Sequence, residues 1–542
     1  MRCALAVLVL ALAACTRVST GGTEHGARNA WTIPHVLRVA ARQDPDNLNM
    51  LLGTQTVDMD LDMLWAGFLF NFNDRDEMVP ELATRVPTQQ NGDISRDGLT
   101  VTYHLRRGVQ WQDGAAFTAD DVIFTYQQIM NPRNFIVSRA GYDRITRIDR
   151  VDDYTIAVHL KQPYAPFIST FFAPSAHSDE VLPKHLLARY PNINRIAYNE
   201  LPIGTGPFRV TTYERGSRIV FTANPHYWRG RPKLERIEWY IVGSDNTMLS
   251  MLQSHQIDWF YRAPEALAAQ LSNIPGTRVS LSPFTRYADL GINASVPALR
   301  DVRVRQALAY ATDRTTLIHK VTHDVDMPGH TDQPPWLWSY NARAKDYPYD
   351  LRAAGALLDA AGWRISPDGI RRRNGEPLHV TLVSFTGSGT VNSAEVIVQA
   401  GWRQAGVDVT IKNYPSGQLY ETAAMGGIEQ AGKFDVIFEN WANGHDPDDA
   451  ILVMCDMAPP NGWNVYHICN AAIDNAERTA QAHYDQATRK AAFDVIQSIM
   501  QEQIPFFVLW YQRQFDVMNA DVRGYRPARA VTPFWNAWEW DI

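Results

Sequence analysis

Within one short stretch the chain places Trp441, Asn443, His445 and Asp446, side-chain types that hold small molecules more readily than they transform them. An indole face stacks on planar or apolar groups. Asn and His offer hydrogen bonds in both senses, and a carboxylate meets a cation. His445 weighs evenly between touching a ligand and tying its own loop together. Asp446, Asp448 and Asp449 look like a fragment of a calcium loop, but the central Gly and distal Glu are missing, so helix capping is the better reading. The catalytic patterns HExxH, GxSxG and GxxxxGKS/T do not occur. Gly204-Thr-Gly206 runs into Pro207-Phe208, which makes it a turn rather than a phosphate cradle. The fifteen His are scattered. This pattern points away from an enzyme and gives no reason to expect a cofactor or a bound metal.

Four cysteines bring a second kind of chemistry. Arg2 precedes an apolar stretch that ends in Leu12-Ala13-Ala14-Cys15. It reads as a signal peptide, residues 1–14, closed by a lipobox in which the Cys15 thiol is the lipid acceptor. The alternative is an ordinary cleaved signal with Cys15 there by chance. The stretch is too short to span a bilayer, whereas acyl chains contribute about 0.8 kcal/mol per buried methylene. Residues 15–30, rich in Gly, Thr and Ser, read as a flexible tether to the membrane. Cys455 and Cys469 are left over, and two spare thiols in an exported chain suggest a disulfide. Closing that loop would stabilise the fold by about 3 kcal/mol in the loop-entropy account. Two unpaired buried cysteines are the alternative; zinc is poorly supported, because neither residue belongs to a CxxC pair.

Elements must position these residues. The 542 residues, 45% hydrophobic and 20% charged, allow several cores and exclude a disordered chain. A net charge of −7 argues against a general nucleic-acid binder. Leu99, Val101, Tyr103 and Leu105 alternate with polar residues as in a half-buried strand, and turn dipeptides bracket a short strand over 109–111. Thr118 and Asp121 form a capping box for a helix ending at Asn131-Pro132. A second alternating run, Ile156, Val158 and Leu160, completes a small α+β unit over 58–202. Further on, strand, helix and strand over 378–385, 393–405 and 407–414 are followed by a helical stretch near 419–430 and a strand over 434–441. This alternation implies βαβ units with a mainly parallel sheet. Ligands of such sheets sit beyond the carboxyl ends of the strands, where the loop from Trp441 to Asp446 falls. Asp301 starts a helix whose Val304, Leu308, Ala311 and Ile318 suggest one buried side, with Arg303, Arg305, Asp313 and Arg314 solvated or in surface ion pairs.

Several motifs together resemble the family 5 extracytoplasmic solute-binding proteins of ABC importers, which include dipeptide- and oligopeptide-binding proteins. They are Leu105-Arg-Arg-Gly-Val-Gln-Trp111-Gln-Asp-Gly114, Phe117-Thr-Ala-Asp-Asp-Val122, Gly204-Thr-Gly-Pro-Phe208 and Asn224-Pro-His-Tyr-Trp228. Asp301-Val-Arg-Val-Arg-Gln-Ala-Leu308, Ala311-Thr-Asp-Arg314, Phe434-Asp-Val436, Trp441 and Asp446-Pro447 complete the set. Their order and spacing, more than any single one, makes the likeness specific.

The resemblance implies an α/β, two-lobed periplasmic-binding-protein fold of type II, the Venus flytrap, with an additional small α+β subdomain on lobe I. Lobe I would comprise 31–57, 203–287 and 515–542, the subdomain 58–202, and lobe II 288–514. The cleft would be lined by Asn49 and Met50 from lobe I and by Glu439, Asn440 and Trp441 from lobe II, with Tyr420, Phe438, Asn443, His445 and Asp446 as further candidates. The disulfide also matches the family. Two departures bear on the ligand. Peptide binders place an Asp three residues after the cleft Trp for the peptide's amino group, and this chain has Gly444; only Asp446 is near enough to substitute. Oligopeptide binders place an Arg three residues before that Trp, and this chain has Phe438. The implied function is that of a lipid-anchored, monomeric extracytoplasmic receptor. It would pass a peptide or peptide-like solute to ABC permease subunits served by a separate ATPase. The alternatives are an oligosaccharide or metal chelate in the same fold, or an exported enzyme or sensory receptor without transport.

Overall fold

Residues 28–175, 179–529 and 533–542 are described in a computed structural model; Cys15, the apolar leader and the tether up to residue 27 lie outside them. The strands β1 (Val36–Ala41), β2 (Phe208–Glu214), β3 (Arg218–Ala223), β4 (Arg236–Ile241), β5 (Trp259–Phe260), β6 (Thr277–Ile292), β7 (His379–Phe385), β8 (Asp408–Tyr414), β9 (Val436–Ala442) and β10 (Phe506–Asn519) join in one mixed sheet. Their spatial order is β8-β7-β9-β6-β10-β5-β1-β4-β3-β2.

The expected βαβ unit is present. β7 pairs in parallel with both β8 and β9, and helix Gly389–Gln404 connects β7 to β8, with Ser388 capping it by accepting from the Val391 N–H. Near the end of that helix the buried Trp402 indole donates to the Leu308 carbonyl and the Thr312 hydroxyl, each at 3.0 Å. Because β9 lies on the other side of β7 from β8, the winding reverses there, and the ends of β7 and β9 form the switch point at which α/β sheets hold ligands. The helix expected near 419–430 is absent. Only Ser416–Leu419 and a 3-10 turn, Ala423–Met425, form, and Gly426, at φ 91°, turns the chain out of helical geometry.

Two other expectations change. The segment after Asp301 is not one helix but two, Val302–Tyr310 and Arg314–Val321, because Asp313 caps the second by accepting from the Thr316 N–H. Arg305 is buried rather than solvated and donates to the carbonyls of Leu299, Arg300 and Gln503. Arg314 likewise meets Asp346 and the Tyr347 carbonyl. A guanidinium without a carboxylate is tolerated inside when carbonyl oxygens satisfy its fork.

In the stretch 58–202, strands Thr100–His104, Thr155–Leu160 and Ile145–Asp152 pair antiparallel, and helix Ala119–Met130 opens with the Thr118/Asp121 capping box. Asp121 also accepts from the Trp111 indole at 3.4 Å and the Lys184 N–H at 3.0 Å, so two of the recurrent motifs are bonded to each other. Residues 109–111 form no strand, only a bridge between Gln110 and Ala116. Gly204 has a packing reason: a Cβ there would lie 1.9 Å from the Trp65 carbonyl oxygen. Cys455 and Cys469 are joined as a disulfide.

The apolar interior is divided. Leu290, Ile292, Phe507, Leu509 and Trp510 belong to one cluster, whereas Phe515 and Val517 belong to another. β10 runs through both, and β6 pairs along it with a register shift between Pro283 and Tyr287. Replacing both Cys455 and Cys469 by Ser should cost about 2–3 kcal/mol. Chemical denaturation under non-reducing conditions reads this as a lower midpoint, and an unchanged midpoint would mean that the bridge does not restrain the unfolded chain.

Candidate functional site

β9 alternates as a strand must. Val436 and Phe438 face one apolar cluster, and Ile437 faces another, with Trp441 packed at its margin. Phe438 is fully buried, its ring centroid 5.7 Å from that of Trp510. It is therefore a core residue and not a ligand contact. Asn440 is partly exposed and accepts from the Gln512 amide at 2.9 Å. Trp441, half-buried, lies 6.4 Å from Trp463 and pairs across the strands with Tyr287. Tyr420 is 36% exposed and sits beside Phe385 at the end of β7.

Glu439 lies directly across from Asp289 of β6 and accepts from the Tyr466 hydroxyl at 3.0 Å, with Glu429 close enough to share its field. All three carboxyls are buried. Burial, and then their mutual repulsion, pushes Asp289 and Glu429 far up; burial also raises Glu439, against the pull of the Tyr466 and Glu429 hydrogen bonds. This acid trio was not anticipated. The signal was an Asp inside an otherwise apolar alternation.

Across from β9, Met50, Met59 and Phe284 form a small apolar cluster on which Ala442 packs. Met50 thus does meet the end of β9. Asn49 is fully buried, and its amide donates to the Asn199 side chain at 3.2 Å. Arg262, which stacks over Phe284 at 5.2 Å, bonds Asp60 at 3.1 Å and Gln514 at 3.2 Å. Burial pushes the Asp60 carboxyl up to about 7, outweighing the pull of that guanidinium.

The loop after Trp441 departs most from expectation. Asn443 is held by backbone: its N–H donates to the Thr285 carbonyl and its side chain to the Asp332 carbonyl, both at 2.8 Å. His445 is buried, stacked on Phe72 at 3.5 Å, with Nδ1 2.5 Å from the Asp76 carboxylate. Asp446 is spent on Arg489 through two bonds of 2.9 and 2.6 Å. It is therefore unavailable as a free amino-group anchor. Asp449 stands at the cap position of Ala450–Val453 but makes no side-chain cap, while Asp448 accepts from Tyr164 and Gln481 at 3.0 Å. Capping is thus a minor role of this cluster; most of it reaches toward other parts of the chain. Further bonds run the same way, from the Ala165 N–H to the Gln481 carbonyl at 2.7 Å and from the Tyr484 hydroxyl to the Gly98 carbonyl at 2.9 Å.

Comparison with known proteins agrees with this architecture. The profile of the bacterial extracellular solute-binding proteins, family 5 Middle, matches residues 77–462. Di/tripeptide-binding protein 2 of Pseudomonas aeruginosa is 29% identical over 82% of this chain and 85% of its own. NikZ from Campylobacter jejuni, solved in complex with Ni(L-His), superposes with a TM-score of 0.76 at 25% identity, covering 94% of this chain and 99% of that one. The oligopeptide-binding protein AppA from Bacillus subtilis, solved with a nonapeptide, has a TM-score of 0.72 at 23% identity, covering 93% and 98%.

The buried acid trio makes stability depend on pH. A carboxyl whose pKa is raised on folding stabilises the native state while protonated, and that contribution fades as pH rises above the ordinary glutamate value of 4.5. Glu429→Gln should therefore raise the melting temperature relative to the natural protein at pH 8 and bring much less gain at pH 5. Thermal melts at the two pH values check this, and an equal gain at both would contradict the assigned protonation.

Proposed function

The chain belongs to the bacterial extracellular solute-binding proteins, family 5, and on that premise we propose that it grips a peptide or peptide-like solute between two closing lobes and hands it to a membrane permease worked by a separate ATPase. The lobes take the divisions 31–57 with 203–287 and 515–542, and 288–514, the unit 58–202 riding on the first. The supporting observation is the seam. β10 runs on through both apolar interiors with β6 paired beside it, while discrete polar bonds, His445 to Asp76, Tyr164 to Asp448 and Ala165 to Gln481, join the two sides. Such an arrangement suits a hinge that opens at modest cost. A solute touching both sides only when they are shut draws the population toward closure by its differential affinity.

The peptide class is supported by the di/tripeptide relative and the nonapeptide-bound neighbour. Phe438 in the core and Asp446 locked to Arg489 leave the usual anchors for a peptide's termini unfilled. Burying an unpaired ammonium is costly, so blocked or longer peptides suit this cleft better than free dipeptides. A metal chelate is the second reading, favoured by the likeness to the nickel-bound protein; among the described residues no group of three or more His, Cys, Asp or Glu gathers to hold a metal ion itself. Outside the cleft, the proposed lipid on Cys15 keeps the protein at a bacterial membrane, facing the periplasm or the cell exterior.

Trp441→Ala should weaken solute binding by about 1–3 kcal/mol, measured by calorimetry; an unaltered dissociation constant would place the indole outside the site. Cys15→Ala, or globomycin, should release the protein from membranes, and unchanged fractionation would defeat the anchor.

A further inference from the structure

Arg286 falls within the irregular stretch between Pro283 and Tyr287, where β6 loses its register with β10 but still pairs with β9, opposite Ala442. Cross-strand partners share a face, and Ala442 packs on the Met50, Met59 and Phe284 cluster. Arg286 therefore stands where the end of β9 meets the apolar groups across from it. Among the described residues its guanidinium makes no hydrogen bond and no ion pair. Nε is enclosed, whereas the two terminal nitrogens are not, and the residue is partly exposed, so the open end of the fork can be reached. The groups whose field it feels are the Arg262 guanidinium and the Tyr420 hydroxyl, not a carboxylate. Burial, and then Arg262, lower its pKa from the ordinary arginine value, yet a guanidinium keeps its charge at neutral pH. The nearby acids are already used: Asp60 bonds Arg262, Glu439 accepts from Tyr466, and burial pushes both carboxyls up. Asp446 is held by Arg489. One positive charge is left over, with no free negative charge beside it for an ammonium.

We propose that Arg286 sets the charge of the cargo: its terminal nitrogens take a carboxylate of an anionic solute that carries no free amino group. The assignment rests on the solute-binding reading above and deepens it. It places an acid anchor on β6 instead of three residues before the indole, where Phe438 is buried in the core. The planar fork of N–H donors matches the two oxygens of a carboxylate. A largely buried guanidinium without a counter-charge is costly, so an arriving carboxylate relieves that cost as well as accepting charge-assisted hydrogen bonds. The same chemistry is offered by a peptide's C-terminus and by an acidic side chain.

The test is calorimetry on the full chain with N-acetyl-trialanine as the free acid, the same peptide as its amide, and N-acetyl-alanyl-glutamyl-alanine amide. An acid-bearing probe should bind about tenfold more tightly than the neutral amide. Preference for the free acid alone assigns the carboxylate to a C-terminus, and preference for the glutamyl probe alone assigns it to a side chain. Arg286→Gln should bring the ratio of acid to amide affinity close to one, and Arg286→Lys, which keeps the charge and loses the fork, should restore part of it. Because the natural guanidinium has no partner, Arg286→Gln should melt no lower than the natural protein. An arginine with only a structural role would instead lower the melting temperature and leave the ratio in place. Equal affinity for all three probes, a ratio that survives Arg286→Gln, or binding of none of them overturns the assignment. If the ratio is absent while Trp441→Ala weakens every probe, the anchor falls and the clamp stands. If no solute of a broad library contracts the scattering profile, the clamp falls and the anchor with it.

Discussion

The backbone ladder between β6 and β10 is the constraint on which the rest of the molecule depends. These strands pair from Thr277 with Asn519 to Gly291 with Phe506, and β10 passes from one apolar cluster into another. Strands hydrogen-bonded over such a length resist shear but tolerate twist and bending where the ladder is irregular, and the register shift between Pro283 and Tyr287 lies close to where the two interiors part. Covalent and hydrogen-bonded continuity at one edge, with scattered polar bonds elsewhere, gives the proposed clamp both its hinge and its freedom.

Around this hinge the placement of charge separates structural work from recognition. Arg305, Arg489 and Asp446 are satisfied by carbonyls or by one another, so they rigidify the frame and leave little for a ligand. The trio Asp289, Glu429 and Glu439 has too few donors for three ionised carboxyls, and burial keeps protons on it. Removing both ordinary anchors for peptide termini, at Phe438 and at Gly444, favours a cargo gripped through its backbone and apolar surface. That is consistent with strand-like peptide capture, in which main-chain bonds supply affinity and pockets supply selectivity.

Much of the fold was legible locally. The Thr118/Asp121 box, the strand alternation over 99–106 and the β7-helix-β8 unit each follow from short-range patterns that need no distant partner. The failures have a common form. The helix near 419–430 was broken by Gly426, and the helix after Asp301 was split by the Asp313 cap, both competing signals inside an otherwise helical pattern. Arg305 read as solvated because charge usually is, but three carbonyls reached from separate segments changed the balance. In the candidate site, Met50 packs by Phe284 and Trp441 sits at the margin of an apolar cluster near the end of β9, whereas Phe438, Asn443 and Asp446 were claimed by packing, backbone and Arg489.

By itself the sequence determined the α/β class and the place of the loop after Trp441 beyond a strand end, because periodicity acts over short reach, and it only suggested the Cys455–Cys469 bridge, as the two thiols left over, which the structure then shows joined. Only tertiary structure decided which side chains remained free. His445 meets Asp76, Asp289 faces Glu439 and Met50 packs by Phe284 across separations along the chain that no local pattern encodes. Whether a polar group is spent or available depends on those distant neighbours, since desolvation and hydrogen bonding are settled by what surrounds an atom in space.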